Sequence, residues 1–263
     1  MWIGWAIPSR DQLDRAYSDF VARAARPWFC SERHGRAAHA TLNCASDVFF
    51  DRFHFVDPGP LIDGDLELVT PDDRWVDDVL NSCTHPLTQL HAPLEAQVTR
   101  DQLLQFISNA PLGHEMKTTG GSKVPQYHFW MRVRDEFWGQ PQCPPIQIVG
   151  AIGLRIGSTE TIEMYYGHFG YHVYPAARGR QYAMRACRLL LPLARRHGFK
   201  TLWITCNPEN IASRRTCERL GAKLVEVVPV PEDNPLYARG EIQKCRYRFD
   251  LVAPAKWRFR WGW

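Results

Sequence analysis

Between Tyr174 and Ala183 the chain reads Tyr-Pro-Ala-Ala-Arg-Gly-Arg-Gln-Tyr-Ala, a turn with two arginines, a glycine and no acid. It joins a β-patterned run ending near Val173 to a long run with an apolar stripe. A helix that starts at such a turn leaves its first backbone N–H groups without intrahelical partners, with the positive end of the helix dipole behind them. Phosphate and pyrophosphate are the ligands that suit a helix start of this kind. The charge pattern agrees: from Pro175 to Lys200 the chain carries Arg178, Arg180, Arg185, Arg188, Arg195, Arg196 and Lys200, and no Asp or Glu. The plain alternative is a solvated basic helix face.

The elements that must position this turn can be read on both sides of it. The helix is expected over Gly179–His197. Pro192 lies inside it, so the expectation is a kink there, or a helix held by packing of Ala183, Cys187, Leu190, Leu191 and Ala194. Thr201–Cys206 reads as a buried strand and Asn207 to Asn210 as a turn with an N-cap. Ile211–Leu220 reads as a shorter helix stopped by Gly221. Two strands close the run, Lys223–Val230 and Lys244–Leu251, the second alternating as Cys245, Tyr247, Phe249 and Leu251. Upstream, Asp65–Thr70 reads as a first strand, and Asp72–Cys83 and Thr99–Asn109 as helices, the latter opened by a Thr99/Gln102 capping box. Tyr127–Arg134 and Ile148–Arg155 read as the second and third strands, joined through a proline-bearing stretch over Gly139–Pro145. Pro111–Pro125, with Gly113, Gly120 and Gly121, reads as a mobile loop.

Taken together, a strand, an R-G-x-x-x-A turn, a helix, a strand, an N-x-x-S helix, "LGA" and two closing strands resemble the GNAT superfamily of acyl-CoA-dependent N-acyltransferases. Ile148 to Arg155 resembles the third strand of that fold. Gly167-His168-Phe169-Gly170-Tyr171 resembles the "GHIGY" opening of the fourth strand in one bacterial branch. The resemblance runs from Asp65 to Leu251, most closely from Val124. It implies an α+β fold: a central, mostly antiparallel, splayed mixed sheet flanked by helices, here with a partly helical N-terminal extension. It also implies acetyl-CoA as acetyl donor. The pantetheine arm would pair with backbone near Tyr171 and Val173, with the Val173 N–H polarising the thioester carbonyl. The pyrophosphate would sit on Arg178, Gly179, Arg180, Gln181, Tyr182 and Ala183. Asn210 and Ser213 match the N-x-x-S helix start that meets the pantetheine. Gln181 takes the place of the family's usual glycine, a substitution that a motif read through its backbone tolerates at negative φ.

Acetyl transfer also needs proton handling. The strand region offers His168 and His172, with Glu163 just upstream. His168 is the candidate base, because it occupies a place where relatives can carry Glu and an imidazole suits proton removal at neutral pH. Cys217 stands where relatives often carry a tyrosine acid, and Tyr237 is a more distant alternative. Each has a plainer reading, as a satisfied strand histidine or a buried helix cysteine.

Composition bounds the rest. The chain has 263 residues, a net charge of +4 and 45% hydrophobic residues, as expected of a globular protein with a substantial core. Eight cysteines without a C-x-x-C pair support no zinc ribbon or disulfide framework, so no metal is expected and reduced thiols point to a cytoplasm. No run reaches the roughly 18–20 apolar residues that span a bilayer, and Met1 to Trp5 does not read as a secretion signal. Neither membrane nor nucleic acid is an expected partner. Three parts are expected: an aromatic, partly helical extension over 1–64 with a helix from Ser9 to Ala25, the acetyltransferase domain over 65–253, and an aromatic and basic tail over 254–263. The extension suits a homodimer contact, a lid or a structural arm. The expected acceptor is a primary amine of a small molecule or a peptide. The competing readings are a catalytically weak acyl-CoA-binding module and a basic nucleic-acid-binding protein.

Overall fold

The computed structural model describes residues 53–110, 113–119 and 122–251, in a compact unit that begins at His54. The expected helix over residues 9–25 and the tail over 254–263 lie outside the described residues. Among the described residues, no helix is long and apolar enough to cross a membrane.

Among the described residues, nine strands form two sheets. The first has the order β1-β2-β4-β5-β6, with β3 paired to β4 as well. These strands are β1 (Ile62–Asp63), β2 (Leu66–Val69), β3 (His114–Thr119), β4 (Ser122–Val133), β5 (Ile148–Arg155) and β6 (Phe169–Val173). The second has the order β7-β9-β8, from β7 (Thr201–Cys206), β8 (Lys223–Pro229) and β9 (Gln243–Asp250). Every pairing is antiparallel. Among the described residues, five α-helices accompany them: α1 (Val76–Thr84), α2 (Pro86–His91), α3 (Arg100–Asn109), α4 (Tyr182–Arg196) and α5 (Ile211–Leu220).

β5 holds the core together. Ile148, Val149, Ile152 and Leu154 are each no more than 1% exposed, so both faces of the strand are covered. A continuous apolar run of seven residues, Ile148 to Leu154, satisfies that position, because no alternate residue of it faces water. α4 packs on β5 and β6 through Cys187, Leu190 and Ala194, and continues through Pro192 without interruption. That packing is what holds the helix where the proline removes a backbone bond. On α1, the Ser82 hydroxyl donates to the Ile148 carbonyl at 2.6 Å, and the Cys83 sulfur lies 3.4 Å from the Tyr174 hydroxyl. Each buried aliphatic side chain of such a core contributes about 1.5–3 kcal/mol.

Local rules account for the helix ends. The Thr99 hydroxyl and the Gln102 side chain form the reciprocal capping box expected for α3. Gly221 ends α5 at φ 98°, the left-handed value that glycine adopts without penalty.

Three expectations are corrected. The segment over 111–125 is not a loop beside the cleft: β3 pairs with β4 from His114↔Tyr127 to Thr119↔Ser122, leaving Gly120 and Gly121 as the connecting residues. Two glycines between alternating runs mark a hairpin as readily as mobility. The stretch before α3 carries α2, whose start is capped by the His85 side chain accepting from the Leu87 N–H. In β9, Lys244 and Arg246 are buried along with their neighbours Cys245 and Tyr247, so charged residues do not alternate out to water there. Arg246 stacks on Trp203 at 4.2 Å, and its Nε donates to the Glu163 carbonyl.

Candidate active site

β6 ends the first sheet and β7 begins the second, and they are joined at one end only. There the His168 N–H donates to the Trp203 carbonyl at 2.7 Å, and the Trp203 N–H donates to His168 Nδ1 at 2.9 Å. The imidazole thus stands in for a peptide carbonyl at the last rung before the sheets part. Gly167 makes the approach possible: at φ 68°, a Cβ on it would come within 2.9 Å of the Thr205 nitrogen. Burial lowers the His168 pKa to about 4, despite the support of its bond to Trp203, so the ring is neutral and structural.

Beyond that apex no ladder joins β6 to β7, and a cleft of about 590 Å³ opens along β6 between the starts of α4 and α5. β6 supplies Tyr171, His172 and Val173 to its lining. Arg155 N–H donates to the His168 carbonyl, and Tyr174 N–H donates to the Val149 carbonyl. Antiparallel alternation therefore turns the backbone of Tyr171 and Val173 away from β5 and toward the gap. The Val173 carbonyl is met there by Arg178 Nε at 3.1 Å. Side chains alternate as well. The Tyr171 hydroxyl reaches α5, 2.9 Å from Ser213 Oγ, while His172 projects to the opposite face, its ring edge-on to Tyr174.

At the other wall, α4 begins without a side-chain cap and without an acid in its first turn. Arg178, Gly179, Gln181, Tyr182 and Ala183 line the cleft around that start. Gln181 has φ 61°, and it is the one non-glycine residue at positive φ among the described residues. The expectation of negative φ is overturned: glutamine occupies the backbone state that glycine would supply. On α5, Asn210 Oδ1 accepts from the Ser213 N–H at 3.0 Å. Arg215, Thr216 and Arg219 line the cleft from the same helix face as Ala212. Ala92 and Glu95, which follow α2 in the chain, line the cleft as well.

This capless helix start at a parting of two antiparallel sheets agrees with the family comparison, in which an "Acetyltransferase (GNAT) domain" model matches residues 65–223. The chain belongs to the GNAT acetyltransferases. No curated protein matches it. Similar solved structures include a putative ribosomal-protein-serine acetyltransferase from Vibrio cholerae, 17% identical over 74% of this chain and 99% of that one, with a TM-score of 0.49. The microcin C7 self-immunity acetyltransferase MccE, solved with acetyl-CoA and AMP, is 13% identical over 72% of this chain and 93% of that one, with a TM-score of 0.49. The ribosomal L7/L12 α-N-protein acetyltransferase RimL, solved with coenzyme A, is 14% identical over 73% and 97%, again with a TM-score of 0.49.

Within the GNAT cleft the residues singled out in the sequence divide sharply. Tyr171, Val173, Arg178, Gly179, Gln181, Tyr182, Ala183, Asn210 and Ser213 come together around one cavity. Arg180 does not line it and instead donates to the Gln142 carbonyl. His168 sits behind the cleft at the apex. The Glu163 carbonyl accepts from Arg246, and Glu163 does not line the cavity either. Cys217 is fully buried with its sulfur 3.9 Å from the Tyr171 hydroxyl, and its hydrogen bond with Cys206 together with burial keeps its thiol protonated. The arginine run of α4 is largely spent on structure: Arg185 pairs with Asp63 and Asp65, and Arg196 donates to the Asp57 carbonyl. The cleft draws its positive charge from Arg178 and from Arg215 and Arg219, which the sequence reading passed over. Their spacing with Ala212 and Thr216 is the signal that was available, since i, i+3, i+4 and i+7 share one helix face. Glu95 carries no such signal.

Proposed function

We propose that this chain transfers an acetyl group from acetyl-CoA to a primary amine, through a domain spanning residues 65–253. One observation carries the reading: an uncapped helix start and three arginines face the same cleft as the outward-turned backbone of β6. The fit is good on chemical grounds. Backbone N–H groups at the start of α4 suit pyrophosphate oxygens, and Arg178, Arg215 and Arg219 add charge where the dipole is positive. Gly179 has open space around it, so the turn leaves room for an anion.

Acetyl-CoA supplies an acetyl group already activated as a thioester. The protein's part is placement and electrostatics. Tyr171 and Val173 offer backbone groups to an extended arm lying in the gap as an added strand. The Val173 N–H polarises the carbonyl that the amine attacks, which is worth most in a site shielded from water. Asn210 and Ser213 hold the arm from α5. The Tyr171 hydroxyl, positioned by Ser213, donates a hydrogen bond to the departing sulfur. Burial raises its pKa, so it acts as a donor that keeps its own proton.

The test is thiol release from acetyl-CoA over a panel of primary amines, alongside calorimetry of acetyl-CoA binding. Amine-dependent thiol release with micromolar binding is the expected result. Absence of binding heat would remove the assignment, and binding without turnover on any amine would reduce the chain to an acyl-CoA-binding module.

A further inference from the structure

β6 presents its two faces to different chemistry. Tyr171 faces α5 and the donor wall, whereas the next residue, His172, faces the wall built by Ala92 and Glu95. A histidine and a carboxylate thus line the cleft together, with Arg178 close enough to act on the same ring. His172 is exposed along the cleft, so a ligand can reach its ring, and it touches the packed interior through Tyr174, 5.2 Å between ring centroids.

We propose that His172 is the catalytic base of this site and that Glu95 draws the acceptor, an aliphatic amine that is cationic in water, into reach of it. The inference rests on the acetyl-transfer reading above. The proton balance is complete without any further reagent. His172 takes one proton from the ammonium group, leaving a neutral amine whose lone pair forms the new C–N bond. The C–S bond breaks, the nitrogen's surplus proton passes to the departing sulfur, and the products are the amide and the free thiol. His172 then returns its proton to water. A positioned base of this kind contributes about 10²–10⁴-fold to rate.

The surroundings set the ring to accept a proton only transiently. The walls of the cleft desolvate it and pull its pKa below 6.5, Glu95 pulls it up, and Arg178 pulls it down. Tyr174, the residue after β6, stacks edge-on to the ring, and Arg215 and Arg219 line the same cleft. His172 is therefore neutral near pH 7, as a base must be. His168 differs: its Nδ1 is already engaged by the Trp203 N–H, and it does not reach the cleft.

The decisive measurement pairs kinetics with binding in the full chain, using spermidine, an aminoglycoside and a tripeptide with a free amino terminus as acceptors. His172→Gln should lower kcat/KM by at least about 100-fold while the acetyl-CoA dissociation constant stays within twofold. The acid limb of the wild-type kcat/KM profile should vanish with it, and added imidazole should restore part of the rate to His172→Ala. Glu95→Gln should raise KM for the cationic acceptors several-fold with little change in kcat. Wild-type-like turnover in His172→Gln overturns the inference and leaves the acetyl-transfer reading standing. Loss of acetyl-CoA affinity in that variant overturns it too, because His172 would then belong to the donor wall. A wild-type chain that binds acetyl-CoA and acetylates none of the three amines overturns both.

Discussion

The two walls of this cleft, proposed above to hold the donor and the acceptor, are built from different kinds of sequence. On the donor side, α4 and α5 approach through short turns whose residues are dictated by backbone geometry: Gly179 at φ 86°, Gln181 at φ 61°, and Asn210 capping α5. A ligand with a fixed diphosphate can be read by such backbone, so its site leaves marks in the sequence. On the acceptor side, Ala92 and Glu95 belong to a short helical stretch and a 3₁₀ turn, with no motif and no shared element with the donor site. The two walls meet only at β6, where neighbouring residues face opposite ways.

That contrast is tested first at the apex on which both walls hang. Gly167→Ala should destabilise the domain by about 3 kcal/mol, because the added methyl meets backbone of β7 and the residue must hold positive φ. Gly179→Ala has the same sign of φ and open space, so it should cost only about 1 kcal/mol. Urea unfolding of the two variants checks the difference, and equal losses would mean that the Gly167 approach to β7 is not tight.

The second test is pH. His168 has a folded-state pKa of about 4 against 6.5 for an unperturbed imidazole. Between those values the unfolded chain binds more protons than the folded one, so stability falls as pH drops from about 6.5 to 4 and is level above 6.5. The gap amounts to about 3 kcal/mol at its low end. His168→Gln should flatten that slope in urea titrations at several pH values, since the proton uptake that drives it is gone.

A third test separates the arginines. Arg178→Ala and Arg215→Ala should each weaken acetyl-CoA binding about tenfold, an effect that shrinks with added salt. Arg180→Ala should leave affinity within twofold, because its side chain turns to the Gln142 carbonyl. Calorimetry at two ionic strengths decides it. A large loss from Arg180 would place the pyrophosphate further along the turn than the cleft indicates.

How much of this was legible follows the same division. β5, β7 and α5 are bounded in the sequence where they are bounded in the fold, because β-branched runs, an asparagine cap and a terminal glycine act locally. The nine donor-side residues around the cavity could be named for a like reason. The six-residue α2 has too few turns to show a period, and the β3–β4 hairpin was hidden by reading its glycines as mobility. His168 and His172 could not be told apart by residue type. Period two puts Tyr171 and His172 on opposite faces, but which face meets a cavity is fixed by how far β7 has diverged, and that is a long-range property. Cys217 failed for a similar reason: its helix position resembles that of a catalytic tyrosine, but the fold fills the space beside it with the Tyr171 hydroxyl.

The smallest effect asks the most pointed question of the donor wall. Gln181 lies in the left-handed region, which costs a residue with a side chain about 1–2 kcal/mol relative to glycine. It is held there because α4 must start where its N–H groups face the cleft. Gln181→Gly removes that strain but also gives the unfolded chain more freedom, which offsets part of the gain. The net expectation is stabilisation of about 1 kcal/mol, read as a higher urea midpoint with unchanged slope. Acetyl-CoA affinity should hold or rise, since the backbone amides stay in place and a side chain leaves the cleft lining. If affinity drops instead, the glutamine amide is itself a ligand contact, and the donor wall would then read its substrate partly through side chains, as the acceptor wall does.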